Sequence, residues 1–387
     1  MNTTKNKYLS TLAPLRGIGA MFVLCAHIGN IGFNRFSHLI ERTWLWVDFF
    51  FVLSGFIISY VYTKEFKDGL KWNKYRSFIR ARFARIYPLH FFTLILAVIG
   101  AFIIRNLAVV LDERFKVIFD IERGVPASLL FVQSLHLFKT PPLNTASWTL
   151  STEWWTYIIF PFLLPFFSRL KLSGKAIALF FIIALYLFLK YVLTSFSEST
   201  GGLATLEYTA DFGFLRCLAG FLLGMLTYEF YKMDVGYKIL KKSWAFIIAF
   251  GGFLLGLHWG ITDLIVIGFF PFILLTAAYN NTAINKLFSL KPLQYLGELS
   301  FSIYMVQVPV IMFYSIYRLL KDPYFFSDYI KLISKPEYSP NSTESGLIIA
   351  VTLILAAFTY KYIEIPARKY INKELNSKNK KLFLKPV

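Results

Sequence analysis

The stretch Leu12–Asn30, LAPLRGIGAMFVLCAHIGN, has the length and apolar character of a membrane-crossing helix, yet it carries Arg16 and His27. These two residues are 11 positions apart. On an α-helix this spacing is three turns plus about 20°, so both side chains share one face, about 16 Å apart. Ionisable groups inside spans usually face a cavity or each other, which favours a polar passage along this face. A snorkelling arginine and a buried, hydrogen-bonded histidine are the alternative.

The rest of the chain has the composition of an integral membrane protein. Of its 387 residues, 56% are hydrophobic and only 16% are charged, and the apolar residues come in long blocks. The net charge of +19 resides in short loops between these blocks, where it acts as a topology signal, so no nucleic-acid partner is expected. Cys25 and Cys217 both lie inside apolar blocks, which predicts neither a disulfide framework nor a metal site.

This pattern predicts an all-α integral membrane protein, a bundle of about ten transmembrane helices. The predicted spans are 11–32, 44–63, 87–104, 149–167, 175–194, 212–230, 243–259, 261–279, 294–317 and 346–363. The apolar segment 125–138 is too short to cross and is expected to form a re-entrant or surface helix. The expected domains are a transmembrane domain over 1–367 and a basic cytoplasmic tail over 368–387, with no fused soluble domain.

Loop charges predict the orientation of the bundle. The loop 64–86 holds eight Lys and Arg, and the tail from residue 361 holds another eight. The loop 195–211 is acidic and holds none. Because Lys and Arg accumulate on the cytoplasmic side, both termini are expected in the cytoplasm.

Asp48 enters the second predicted span near its outer end, at a depth comparable with that of His27. A carboxylate beside an imidazole fixes its tautomer and raises its basicity, as general-base catalysis requires. The alternative is that Asp48 only caps the start of its helix, where aspartate is favoured.

Four arginines, Arg76, Arg80, Arg82 and Arg85, precede the third predicted span. On a helix, Arg82 and Arg85 face the same way, as do Arg76 and Arg80. This cluster suits the phosphate groups of a soluble cytoplasmic ligand. A topology signal that also contacts lipid headgroups is the alternative.

The segment SWTLSTEWW, residues 147–155, places Glu153 among hydroxyls and indoles at the outer start of the fourth span. Such a mixture resembles a sugar-binding rim, although interfacial tryptophans are expected at the end of any span. Arg216 is a further charge within a span and is expected to have an acidic partner.

These segments together resemble membrane acyltransferase family 3, whose bacterial members O-acylate cell-surface and exported carbohydrates. The resemblance runs over nearly the whole chain, in the order of the family. It rests on LRGIGAMFVLCAH, VDFFFVLSGFIIS, RFARIYP, SWTLSTEWW, RCLAGFLLG, LGELSFSIYMVQVPV and YIEIPARKY. The chain departs from the family at Gln307, where a histidine is usual, which leaves His27 as the one well-placed imidazole.

The resemblance implies a bacterial cytoplasmic (inner) membrane enzyme that moves an acyl group, expected to be acetyl, from cytoplasmic acyl-CoA to a hydroxyl of an extracytoplasmic carbohydrate. No tightly bound cofactor and no metal are expected, and the lipid bilayer is the surrounding partner. The expected catalytic residues are His27, Asp48 and Glu153. The expected donor-binding residues are Arg16, Arg80, Arg82 and Arg85. The expected acceptor-binding residues are Trp148, Ser151 and Arg216.

Two questions stay open at the level of sequence. His27 acts either as a general base for direct transfer or as a nucleophile that forms an acyl-histidine intermediate. A transporter of lipid-linked or exported saccharide is the alternative function, but it predicts two related halves with broken helices, and the chain shows no such internal symmetry. A purely structural scaffold explains neither the shared face of Arg16 and His27 nor the arginine cluster.

Overall fold

The computed structural model describes residues 11–29, 38–66, 68–197, 205–279, 283–328 and 340–372. Within these ranges the regular structure is helical and contains no strand. The α-helices, numbered α1 to α15 in chain order, are Leu12–Ile28, Trp44–Phe66, Trp72–Leu107, Glu113–Ile118, Ile121–Leu129, Trp148–Arg169, Leu172–Tyr191, Gly213–Lys232, Tyr237–Leu240, Ser243–His258, Asp263–Tyr279, Ala283–Phe288, Lys291–Lys321, Ser342–Thr359 and Ile365–Ile371. A π-helical turn, Tyr360–Glu364, joins α14 to α15.

Each of the ten predicted spans contains a helix, so the all-α membrane class is confirmed. Among the described residues, six helical segments are long and apolar enough to cross a membrane: α2, α3, α7, α8, α13 and the continuous segment Ser342–Ile371. The apolar helices α1, α10 and α11 are shorter, at 16 or 17 residues. The protein is therefore a multi-pass membrane protein, while ten crossings and the cytoplasmic position of the termini stay predictions. Of the predicted tail 368–387, the part after residue 372 lies outside the described residues.

The main difference from the predicted spans concerns the arginine-rich loop. The structure has one 36-residue helix, α3, that begins at Trp72 and includes all four arginines before it continues as the third predicted span. Pro88 lies inside this helix and does not begin it. Proline removes one backbone hydrogen-bond donor, and membrane-spanning helices accept that loss because neighbouring helices pack against them and compensate for it. The arginines therefore project from a rigid helix.

The segment 125–138, expected to be a short helix, is only partly helical. The helix α5 ends at Leu129, and the chain then runs irregularly, with positive φ at Phe131, His136 and Leu143. Gln133 and Ser134 are fully buried there. Buried non-helical backbone needs hydrogen-bond partners, and α6 supplies several of them through Trp148, Ser151 and Trp155.

Two tight helix pairs organise the bundle. A Cβ atom on Gly224 of α8 would lie 1.9 Å from the backbone oxygen of Val52 in α2, and one on Gly55 would lie 2.1 Å from that of Phe221. Glycine is therefore required where α2 and α8 cross. In the same way Gly297 of α13 approaches the backbone of Ala13 in α1. These two contacts fix α2 and α13 as walls of the central cavity.

Candidate active site

A cavity of about 220 Å³ lies between α1, α2, α3, α6, α13 and the C-terminal α15. Its polar lining comprises Arg16, Ser54, Tyr62, Arg82, Arg85, Thr149, Glu153, Tyr157, Ser300, Tyr304, Arg368 and Asn372. Of the expected site residues, the cavity therefore brings together Arg16, Arg82, Arg85 and Glu153. Arg80, expected in the same group, does not line it.

The arginines of α3 occupy one part of the cavity wall. As the i, i+3 spacing predicts, Arg82 and Arg85 both face the cavity. The guanidinium of Arg82 lies over the rings of Tyr62 and Phe78, at 5.5 and 5.9 Å from their centres. Arg85 forms an ion pair with Glu364 and lies 5.1 Å from the ring centre of Phe301. Stacking on aromatic rings holds both planar groups in place and leaves donor edges for an anion.

Glu153 lies in the lining beside an unexpected partner, Ser54. The Ser54 hydroxyl donates a 2.8 Å hydrogen bond to Glu153 Oε1. Hydroxyls elsewhere in the helices typically donate to the carbonyl of the preceding turn, as Thr63, Thr227 and Thr359 do. Ser54 instead joins two helices through a carboxylate. The sequence alone gives no sign of this polar role of Ser54, and only the neighbouring residue in α6 reveals it.

His27 lies apart from the cavity lining, at the end of α1. Its Nδ1 is 3.0 Å from the carbonyl oxygen of Val23. Since a carbonyl only accepts, Nδ1 carries the proton and Nε2 keeps its lone pair, as a general base requires. The ring is exposed, and the buried side chain of Gln307 in α13 lies next to it.

Within α13, the cavity-lining residue nearest in sequence to Gln307 is Tyr304. Tyr304 lines the cavity and is three residues before Gln307, which is about 4.5 Å along a helix. The ring of Tyr304 contacts that of Phe50 edge-on, with 6.4 Å between centres. The cavity lining therefore comes within one helical turn of Gln307, the residue beside His27.

Asp48 is not the partner of His27 that the sequence analysis expected. It is fully buried in an ion pair with Arg216, with Nε–Oδ1 and Nη2–Oδ2 distances of 3.0 and 2.7 Å. An arginine at this depth needs a carboxylate, and Asp48 is committed to that task. The structure thus confirms the expected acidic partner of Arg216, and the groups beside His27 are the Val23 carbonyl and Gln307.

The three residues expected to bind the acceptor lie inside the protein. The ring of Trp148 packs against the Arg216 guanidinium at 5.3 Å. The Ser151 hydroxyl donates a 2.6 Å hydrogen bond to the carbonyl of Phe131. The backbone carbonyl of Trp148 and the hydroxyl of Ser151 support the irregular segment after α5, whereas fully buried Arg216 donates to the carbonyls of Trp44 and Tyr208. Their expected contact with an acceptor stays a prediction.

Comparison with known proteins gives a result that matches this arrangement. A protein-family model described as "Acyltransferase domain" matches residues 14–361, which is most of the chain. No solved structure matches the chain.

Two curated relatives resemble the chain over nearly its whole length. O-acetyltransferase OatA of Staphylococcus aureus is 23% identical over 386 residues, covering 94% of this chain and 58% of the relative. Peptidoglycan O-acetyltransferase OatA of Listeria monocytogenes is 23% identical over 412 residues, covering 98% of this chain and 60% of the relative. The chain therefore spans less than two thirds of the length of either relative. A third match, Protein 2 in picA locus of Rhizobium radiobacter, is 31% identical over 149 residues, covering 37% of this chain and 72% of the relative.

Proposed function

Since the chain belongs to the acyltransferase domain family matched over residues 14–361, we propose that it moves an acetyl group from cytoplasmic acetyl-CoA to a hydroxyl of an extracytoplasmic carbohydrate. It is an acyltransferase enzyme of the membrane, and the donor, the direction across the membrane and the acceptor are the proposed parts. The observation that carries the proposal is the cavity that joins Arg16, Arg82, Arg85 and Glu153 in one chamber. We propose that the membrane is the cytoplasmic membrane of a bacterium, because the donor is made in the cytoplasm and must reach the enzyme from that side.

The donor side of the proposal follows from charge. Acetyl-CoA is a polyanion with an uncharged arm that ends in a thioester. Arg82 and Arg85 present planar donors that bind phosphate oxygens well, and Arg16 lines the same chamber. Apolar residues, among them Leu53, Ile57 and Val61, line the chamber between the charged groups and suit the uncharged arm.

The acceptor side of the proposal rests on His27. Its Nε2 keeps a lone pair that can take the proton of an acceptor hydroxyl, and the exposure of the residue gives that hydroxyl access. The oxygen then attacks the thioester carbon, the carbon–sulfur bond breaks, and the thiol leaves with a proton. In this scheme the thioester reaches the level of Tyr304, so CoA itself never crosses the membrane. An acyl-histidine intermediate is the alternative chemical route through the same residue.

The acceptor class is proposed from the relatives. The Listeria relative is named a peptidoglycan O-acetyltransferase, and peptidoglycan is a carbohydrate polymer on the far side of the membrane. We propose a cell-envelope carbohydrate of this kind as the acceptor here. Membership of an acyltransferase family does not favour the transporter alternative, which requires no thioester chemistry.

The test uses the purified protein in lipid nanodiscs with acetyl-CoA labelled in the acetyl group. We expect label to move to muropeptide or oligosaccharide acceptors in the wild type and to stop moving in His27→Ala. Full turnover in His27→Ala would remove the catalytic assignment. Absence of any acetyl-CoA binding or turnover in the wild type would remove the donor.

A further inference from the structure

The C-terminal segment contributes to the cavity in a way that the sequence analysis did not assign. After α14 the chain forms the π-helical turn Tyr360–Glu364 and then the short α15. Arg368 in α15 and Asn372 just after it line the same cavity as Arg82 and Arg85. A π-helical turn is uncommon and often marks a functional site, because it rotates the residues that follow it.

Glu364 holds these arginines together. Its carboxylate, 1% exposed, forms an ion pair with Arg85 and lies 3.5 Å from Arg368. It also accepts a 3.2 Å hydrogen bond from the Ser302 hydroxyl of α13. One carboxylate therefore ties together α3, α13 and the C-terminal segment. A buried carboxylate needs such partners, and it fixes the direction of each guanidinium in return.

Among the described residues that line this part of the cavity, basic side chains outnumber acidic ones. Arg16, Arg82, Arg85 and Arg368 line the cavity, and among its described lining residues Glu153 is the acidic one. Even with Glu364 behind Arg85, the three guanidinium groups of Arg82, Arg85 and Arg368 face two carboxylates in the described part of the chain. Arg82, Arg85 and Arg368 line one cavity, where their like charges repel each other. Such an excess of positive charge in a partly enclosed space favours a polyanionic ligand.

Unused hydrogen-bonding atoms point the same way. Within the described residues, buried Arg82 Nε donates to no protein group, and the buried side-chain oxygen of Asn372 accepts from none. Both residues line the cavity. Buried polar atoms are costly without a partner, so a ligand that offers both an acceptor and an N–H donor would satisfy the site. A purine nucleotide offers its phosphate oxygens and an amino group.

We infer that Arg368, set by Glu364 and joined by Asn372, forms a second half of the donor site that binds the nucleotide part of the acyl donor. This inference rests on the proposed function and deepens it. Arg368 binds a phosphate group together with Arg82, Glu364 positions both Arg85 and Arg368, and the C-terminal segment is a wall of the active site.

The test compares three donors that differ only in their nucleotide part: acetyl-CoA, 3′-dephospho-acetyl-CoA, and S-acetyl-pantetheine, which has no nucleotide. We expect Arg368→Gln to raise the KM for acetyl-CoA about 10- to 100-fold, the range of one charge-assisted contact, with a smaller effect on kcat. The KM for S-acetyl-pantetheine should not change, because that donor has no nucleotide. Arg368→Lys should restore part of the affinity for acetyl-CoA.

Lys369→Gln is the matched control. It removes the same charge from the neighbouring position of α15, but Lys369 is exposed and does not line the cavity. Its donor KM should equal that of the wild type. Glu364→Gln should raise the KM for acetyl-CoA as Arg368→Gln does, because its two arginines lose their fixed directions.

The outcomes separate the possible failures. If Arg368→Gln weakens all three donors equally, Arg368 is only structural, and the inference is wrong. If Arg368→Gln behaves like Lys369→Gln with every donor, the inference is also wrong, while the proposed function stands. If the wild type neither binds nor uses acetyl-CoA, the proposed function fails first. Thermal unfolding of each variant in detergent identifies those that are simply misfolded. If Arg368→Gln is one of them, the donor KM values of Arg368→Lys are compared with those of the wild type instead.

Discussion

Asp48 and Arg216 form a bidentate ion pair at the crossing of α2 and α8, and both side chains are fully buried. Arg216 makes two further hydrogen bonds, to the carbonyl oxygens of Tyr208 and Trp44. The pair therefore ties α2 and α8 to the chain segment that precedes α8. Its position predicts a structural role.

Removing either partner should destabilise the protein. Asp48→Ala leaves a buried guanidinium without its carboxylate, a loss of about 3–5 kcal/mol in soluble proteins. We expect both Asp48→Ala and Arg216→Ala to lower the yield of folded protein and its unfolding temperature in detergent. The double variant should lose less than the sum of the two, because neither charge is then left alone.

The exposed pair Glu113–Lys116 is the control for this prediction. Its removal should change stability little, since water screens exposed ion pairs. A stable Asp48→Ala protein that binds donor but lacks turnover would contradict the structural role. It would return Asp48 to the catalytic group that the sequence analysis expected.

His27→Ala should remove turnover and preserve donor binding. A positioned general base contributes about 10²- to 10⁴-fold to the rate, and His27 lies outside the cavity that is proposed to bind the donor. Acetyl-CoA affinity, measured by calorimetry in nanodiscs, should stay within about twofold of the wild type. His38→Ala removes another exposed histidine, outside the helices, and is the control. A large loss of donor affinity in His27→Ala would argue against the separation of the two sites.

We predict that Gln307 orients His27, so that loss of Gln307 lowers the rate of acyl transfer. The fully buried amide of Gln307 donates to the carbonyl of Tyr304 at 3.0 Å and lies beside the imidazole. We expect Gln307→Ala to lower kcat roughly tenfold, which is the effect of one hydrogen bond on a barrier. Gln307→His restores the residue usual in the family and should retain activity. Equal kcat values for Gln307→Ala and the wild type would show that the Val23 carbonyl alone orients the ring.

The sequence predicts the helices better than the contacts between them. Blocks of apolar residues identified ten ranges that each contain a helix, because a helix that crosses the bilayer requires about 20 apolar residues. The shared face of Arg82 and Arg85 was also predictable, since i, i+3 geometry is local. The continuous helix through Pro88 was not, because it depends on packing by neighbouring helices.

The partners of buried charges could not be read from the sequence, because they are far apart in the chain. Arg216 lies 168 residues from Asp48, and Arg85 lies 279 residues from Glu364. A single sequence gives no signal for such pairs beyond the rule that a charge in a span has a partner. That rule correctly required an acidic partner for Arg216. It did not name the partner, and the similar predicted depths of Asp48 and His27 led to the wrong pairing. The i, i+4 spacing of Glu364 and Arg368 was the local signal that could have pointed to the C-terminal segment.

The close approach of α2 and α8 predicts that Gly224→Ala and Gly55→Ala are harmful. The added Cβ atoms would lie 1.9 and 2.1 Å from backbone oxygens, so the helices must separate. Overpacking of this kind costs about 1–3 kcal/mol in soluble proteins, and backbone atoms yield less readily than side chains. Because α2 carries Ser54, separation also moves that hydroxyl away from Glu153, so turnover should fall in the fraction that folds.

Gly251→Ala and Gly268→Ala are the controls: they lie in the apolar helices α10 and α11, and an added Cβ meets nothing within 4 Å. These controls should keep the wild-type unfolding temperature or raise it slightly, since alanine favours a helix by roughly 0.5–1 kcal/mol over glycine. Equal unfolding temperatures for Gly224→Ala and Gly251→Ala would show that α2 and α8 do not need this contact.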